Sequence, residues 1–65
     1  MLYEKIKVYI EHAGIKQNYI AEKIGVSPAV LSAMLTGKRN IIAEEYFSIC
    51  AALGVSVGMF IDEAS

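Results

Sequence analysis

The sequence predicts an all-α fold, a compact five-helix bundle forming one domain over residues 1–65. Three features of the chain predict it. Apolar residues recur every three or four positions along nearly its whole length, the period of helices with one buried face. Glycines at 14, 25, 37 and 54 interrupt that pattern at intervals of one short helix. There is no β-hairpin signal, internal repeat or low-complexity segment, and the strand-like tract Gly54-Val55-Ser56-Val57-Gly58 would have nothing to pair with.

The first helix starts at about Leu2. Leu2, Ile6, Tyr9, Ile10 and Ala13 recur at helical spacing, with Lys5, Lys7 and Glu11 between them, and Gly14 ends it. The second runs from about Gln17 to Ile24, with Ile20, Ala21 and Ile24 on one face. Gly25 ends it because glycine takes a positive φ without steric cost. The third runs from about Pro28 to Leu35. Ser27 can accept from its free N–H groups, and Pro28 stands at the first helical position, where no N–H is needed. Val30, Leu31, Met34 and Leu35 form its apolar face, and Gly37 is its stop. Lys38-Arg39-Asn40 reads as a polar loop. The fourth helix spans about Ile42 to Leu53, with the stripe Ile42, Tyr46, Ile49, Cys50 and Leu53. Glu44 and Glu45 suit the positive end of its dipole, and as adjacent residues they point about 100° apart, so they are not a facing carboxylate pair. Ser56 reads as the cap of a short fifth helix reaching about Ile61.

Residues 17–36 are the most informative part. Two short amphipathic helices joined by a tight turn at Gly25, with a small Ala21 for close approach, make a helix-turn-helix. Its second helix has the shape that enters a DNA major groove.

The charge is sparse but divided. The formal net charge is −1. Residues 1–40 hold all six cations (Lys5, Lys7, Lys16, Lys23, Lys38, Arg39) against three anions, a balance of +3, while residues 41–65 hold four anions (Glu44, Glu45, Asp62, Glu63) and no cation. Such a dipolar domain can turn its basic half to phosphates, with weak affinity as a monomer. The single Cys50 excludes an internal disulfide, and Cys50 with His12 is too small a set for zinc. Neither a metal nor a cofactor is expected, and the expected compartment is the cytoplasm. No run of 18 apolar residues spans a membrane, and the polar residues among the first ten speak against a signal peptide. Nothing resembles a nucleophile–base pair or a phosphate loop, so no enzyme is expected. His12 reads as a surface residue favoured by the helix dipole, and Cys50 and Met34 read as core.

The run Gly14-Ile15-Lys16-Gln17, Ile20 to Ser27, Leu31-Ser32, Gly37 to Asn40, Ile49, and Ala52 to Ser56 resembles the phage repressor and Cro-type helix-turn-helix family, the lambda-repressor-like fold, and the related xenobiotic-response-element regulators of bacteria. The resemblance covers residues 2 to about 61. It implies a five-helix domain that binds double-stranded DNA, as a homodimer on a two-fold operator. It implies that Ser27, Pro28, Ala29, Ser32 and Ala33 face the groove. It implies phosphate contacts from Gln17 and its neighbours Asn18 and Tyr19, and from Lys38, Arg39 and Asn40. Read without the resemblance, Gln17 fills a first turn, Tyr19 is a surface aromatic, and Lys38-Arg39 is a solvated charge pair.

Three departures stand out. Pro28 and Ala29 have no side-chain donor, so direct readout is thin and Ser32 is its best candidate. Ile10 and Leu35 occupy positions where many members pair an Arg with a Glu. Ile41-Ile42 stands where many have Pro-Ser, so the fourth helix lacks the usual capping hydroxyl.

The tail Val57-Gly58-Met59-Phe60-Ile61 has more apolar bulk than one face of a short helix needs, where relatives often carry acidic residues. Met59 and Ile61 are therefore the expected dimer patch, with Phe60 anchored in the core. A chain of this length buries only ~60% of the surface its unfolded state exposes, so at 55% apolar content some apolar side chains must stay outside. The expected function is a transcriptional regulator, in particular a repressor. The alternative is an antitoxin or adaptor of the same fold, whose main partner is a toxin or another protein. No room is left here for a separate sensor domain, though the chain can equally be the head of a longer protein.

Overall fold

Eleven side chains form the centre of the computed structural model, which describes residues 1–61: Ile6, Ile10, Ile20, Ala21, Leu31, Met34, Leu35, Tyr46, Ile49, Cys50 and Phe60. Ten of them come from four helices, α1 (Leu2–Ala13), α2 (Gln17–Ile24), α3 (Pro28–Leu35) and α4 (Ala43–Leu53), and Phe60 comes from the turns that follow. Helix α2 packs on both α3 and α4, and α1 packs on α3. Each fully buried Ile or Leu contributes about 1.5–3 kcal/mol relative to exposure. Ile10 and Leu35 are both 1% exposed, so an apolar core stands where an ion pair was absent from the sequence.

The predicted bounds of α2 and α3 hold. Gly25 takes φ +80° and its N–H returns to the Ala21 carbonyl at 2.9 Å. Ser27 Oγ accepts from the Val30 N–H at 3.2 Å, and Pro28 follows it as the first helical residue.

Two expectations fail. The fifth helix is absent: among the described residues there are four helices and no strand. Residues 56–61 form two successive tight turns instead, closed by Met59 N–H to the Ser56 carbonyl at 3.1 Å and Ile61 N–H to the Gly58 carbonyl at 3.3 Å. A six-residue segment with a β-branched Val57 and a central Gly58 cannot offset the cost of nucleating a helix. Tertiary contacts hold it. The Phe60 ring packs edge-on against Tyr9 at 5.6 Å, and the Tyr46 hydroxyl donates to the Val57 carbonyl. Burial, first, and then a hydrogen bond with Cys50 push the Tyr46 phenol above its ordinary range.

The second failure is at Ile42. It is the extended residue before α4, with ψ 164°, and is 54% exposed rather than part of the buried stripe. Its neighbour Ile41 packs against the core in its place. Ala13, the last residue of α1, is also exposed and so lies off the buried stripe expected of it.

Candidate nucleic-acid interface

The core-facing side of α3 is Leu31, Met34 and Leu35, all at most 1% exposed. The opposite side is therefore Pro28, Ala29 and Ser32, all exposed, with Ala33 half-buried at its margin. Thr36 continues the stripe one turn beyond Ser32 and donates its hydroxyl to the Ser32 carbonyl at 2.9 Å. The i+4 spacing from Ser32 was the signal that could have added Thr36 to the predicted set. Ser27 heads this face, with its oxygen engaged as the helix cap and its hydroxyl hydrogen left to donate.

The start of α2 presents Gln17, half-buried, and Asn18 and Tyr19, both exposed. No side chain caps this helix, so Lys16 leaves its first N–H groups open to an outside acceptor. Lys23 lies over the Tyr19 ring, 5.6 Å from its centre. That cation–π contact adds a charge to the same exposed turn, and Lys23 was missed because only the i+4 relation to Tyr19 signalled it.

The loop after α3 is pinned at both ends. Gly37 takes φ +81°, and the N–H groups of Lys38 and Arg39 both donate to the Ala33 carbonyl, at 3.0 and 3.2 Å. The Tyr3 ring covers Gly37. Lys38, Arg39 and Asn40 are exposed, but Arg39 is already engaged. Its Nη1 and Nη2 donate to the two oxygens of Glu45 at 2.9 and 2.7 Å. Glu45 Oε1 also accepts the Ile42 N–H at 3.1 Å, the half of a capping box that needs no hydroxyl at Ile42. The paired guanidinium and the Ile42 N–H hold the Glu45 carboxyl below its ordinary range, and Glu45 raises Arg39 in turn. Sequence reasoning placed Glu45 only against the dipole. Its position as the third residue of α4, after a residue with no hydroxyl, was the available signal.

A helix-turn-helix family model, of the Cro/C1 type, matches residues 6–60. The chain belongs to that family. Comparison with curated proteins and with solved structures gives no match. As a Cro/C1-type helix-turn-helix protein, the chain is a DNA-binding transcription regulator in its general class. In that frame α2 and α3 are its paired helices, the loop 37–40 follows α3 directly, and Tyr19 and Lys23 share a groove with Ser48, Ala51 and Ala52 of α4.

Other predicted residues stand as follows. His12 is exposed in the last turn of α1, and Cys50 is a buried free thiol. Met59 and Ile61 are 49% and 52% exposed. Asp62 and Glu63, half of the predicted acidic charge of the second half, lie outside the described residues. Among the described residues no cluster of His, Cys, Asp and Glu could hold a metal, and no helix is long and apolar enough to cross a membrane.

Proposed function

We propose that this protein is a sequence-specific repressor that binds double-stranded DNA as a homodimer. Helix α3 lies in the major groove, with Ser27, Pro28, Ala29, Ser32 and Ala33 against the base edges. Gln17, Asn18 and Tyr19 contact phosphates on one side of the groove. Lys38, Arg39 and Asn40 form the second arm of the clamp.

One observation carries this reading. The outward face of α3 is small and uncharged, and exposed donors stand at the start of the preceding helix (Asn18, Tyr19) and in the loop that follows (Lys38, Arg39, Asn40). A protein-contact helix of this length would rely on large apolar or aromatic anchors, and Pro28, Ala29 and Ser32 supply none. A flat, small face permits close backbone approach to the groove floor. Discrimination then rests on methyl contacts and DNA shape more than on hydrogen bonds.

Selection from a pool of random duplexes tests the proposal. The expected product is a two-fold site with half-sites about one helical turn, roughly 34 Å, apart. Enrichment of no common sequence, together with salt-insensitive binding, would overturn it.

A further inference from the structure

We infer that Arg39 is a positioning residue of the clamp: locked onto Glu45, it fixes the backbone of residues 37–42 so that Lys38 delivers the loop's charge to a phosphate. This rests on the DNA-binding reading and divides the labour within one arm of it.

The fork of Arg39 that would grip a phosphate is filled. Nη1 and Nη2 meet the two Glu45 oxygens in a bidentate pair, and Nη1 also donates to the Asn40 carbonyl at 3.3 Å. Glu45 is the less exposed partner, at 17% of its side chain against 41% for Arg39. Turning Arg39 outward to DNA leaves that carboxylate unpaired beside a polyanion, so the exchange is unfavourable. The same carboxylate closes the N-terminus of α4 by taking the Ile42 N–H. The pair thus ties the loop to α4, while the Ala33 carbonyl and the Tyr3 ring tie it to α3 and α1. Lys38 sits between these anchors, exposed and without an ion pair among the described residues.

Glu45→Gln separates the possibilities by sign. The variant protein is more positive. If Arg39 were a direct phosphate ligand restrained by Glu45, or if Glu45 merely repelled DNA, Gln would strengthen binding. If Arg39 positions the loop through Glu45, Gln weakens binding despite the added charge.

The measurement is anisotropy with a random-sequence duplex over a range of salt, since phosphate contact needs no particular sequence. Lys38→Met is expected to flatten the slope of log affinity against log salt by about one unit. Glu45→Gln and Arg39→Met are each expected to lower affinity about five-fold with the slope unchanged, and the double variant to be no worse than either. Arg39→Lys keeps the charge and loses the fork, so it should behave like Arg39→Met. It decides the matter if Glu45→Gln fails to fold. Tighter binding by Glu45→Gln, wild-type binding by Arg39→Lys, or a slope change in Arg39→Met overturns the inference while leaving the DNA reading intact. A wild type that binds no duplex at low salt overturns both.

Discussion

A methyl group at position 37 would push aside the far end of the Tyr3 side chain. Its Cβ would lie 2.7 Å from the Tyr3 ring, on a backbone with φ +81°. The left-handed conformation alone costs a non-glycine residue about 1–2 kcal/mol, and displacing the ring adds to that. Gly58 is the control. It is outside the left-handed region and a Cβ there meets open space. In urea unfolding, Gly37→Ala is expected to lose at least about 1–2 kcal/mol, and Gly58→Ala to be neutral or gain up to about 1 kcal/mol. Equal effects at the two sites would refute this account of Gly37. The role of Gly37 as a stop was legible in the sequence, because it follows an apolar run. The Tyr3 contact was not, since nothing in local periodicity links residues at opposite ends of three helices. Glu45 is similar. Its charge near a helix start was readable, but its bidentate partner depends on how the loop folds back.

At the scale of elements, α2 and α3 were readable to the residue because each carries its own punctuation. Gly25, Ser27 and Pro28 act through backbone conformation and local hydrogen bonds, which need no tertiary context. The C-terminal turns were misread for the opposite reason. Their apolar spacing is that of a helix, but Gly58 and Val57 are poor helix formers, and Phe60 against Tyr9 with Tyr46 against Val57 decides the conformation. The reading face of α3 follows from the same geometry. Leu31, Met34 and Leu35 are buried, so the proposed DNA contact falls to the opposite face. Ala33, half-buried at its margin, tests the register. Ala33→Glu, checked for helicity, is expected to abolish binding by setting a carboxylate against phosphates, while Ser32→Ala costs about 1 kcal/mol or less. Normal operator binding by a folded Ala33→Glu would mean that α3 does not read the groove in this register.

The sequence divides into a basic first part and an acidic, apolar second part, and this division bears on the proposed assembly. On the proposed reading, the six cations of one copy are few for holding a specific site at physiological salt. A two-fold pair doubles the contacts, and it must pair through surface that DNA leaves free. Met59 and Ile61 are about half exposed, while Phe60 between them is 5% exposed and anchored on Tyr9. Alternation of this kind turns two large side chains outward from a fixed ring. Met1 and Val8, 77% and 48% exposed, line open grooves together with Met59, Phe60 and Ile61, and Glu4, Lys5 and His12 of α1 share those grooves, so the apolar side chains there are interleaved with charged ones. We propose that this mixed patch serves a weak dimer completed on DNA, since a stable complex needs roughly 800 Å² of well-packed surface per partner. Met59→Lys with Ile61→Lys is expected to leave the fold intact, because neither side chain is in the core. It should remove cooperative binding to a two-fold site while retaining single-site binding. Sedimentation at high concentration and on DNA reads the outcome directly. A wild type that stays monomeric both free and on its site, or a double variant that still pairs, places the interface elsewhere, and Phe47, 54% exposed on α4, is then the next surface to substitute.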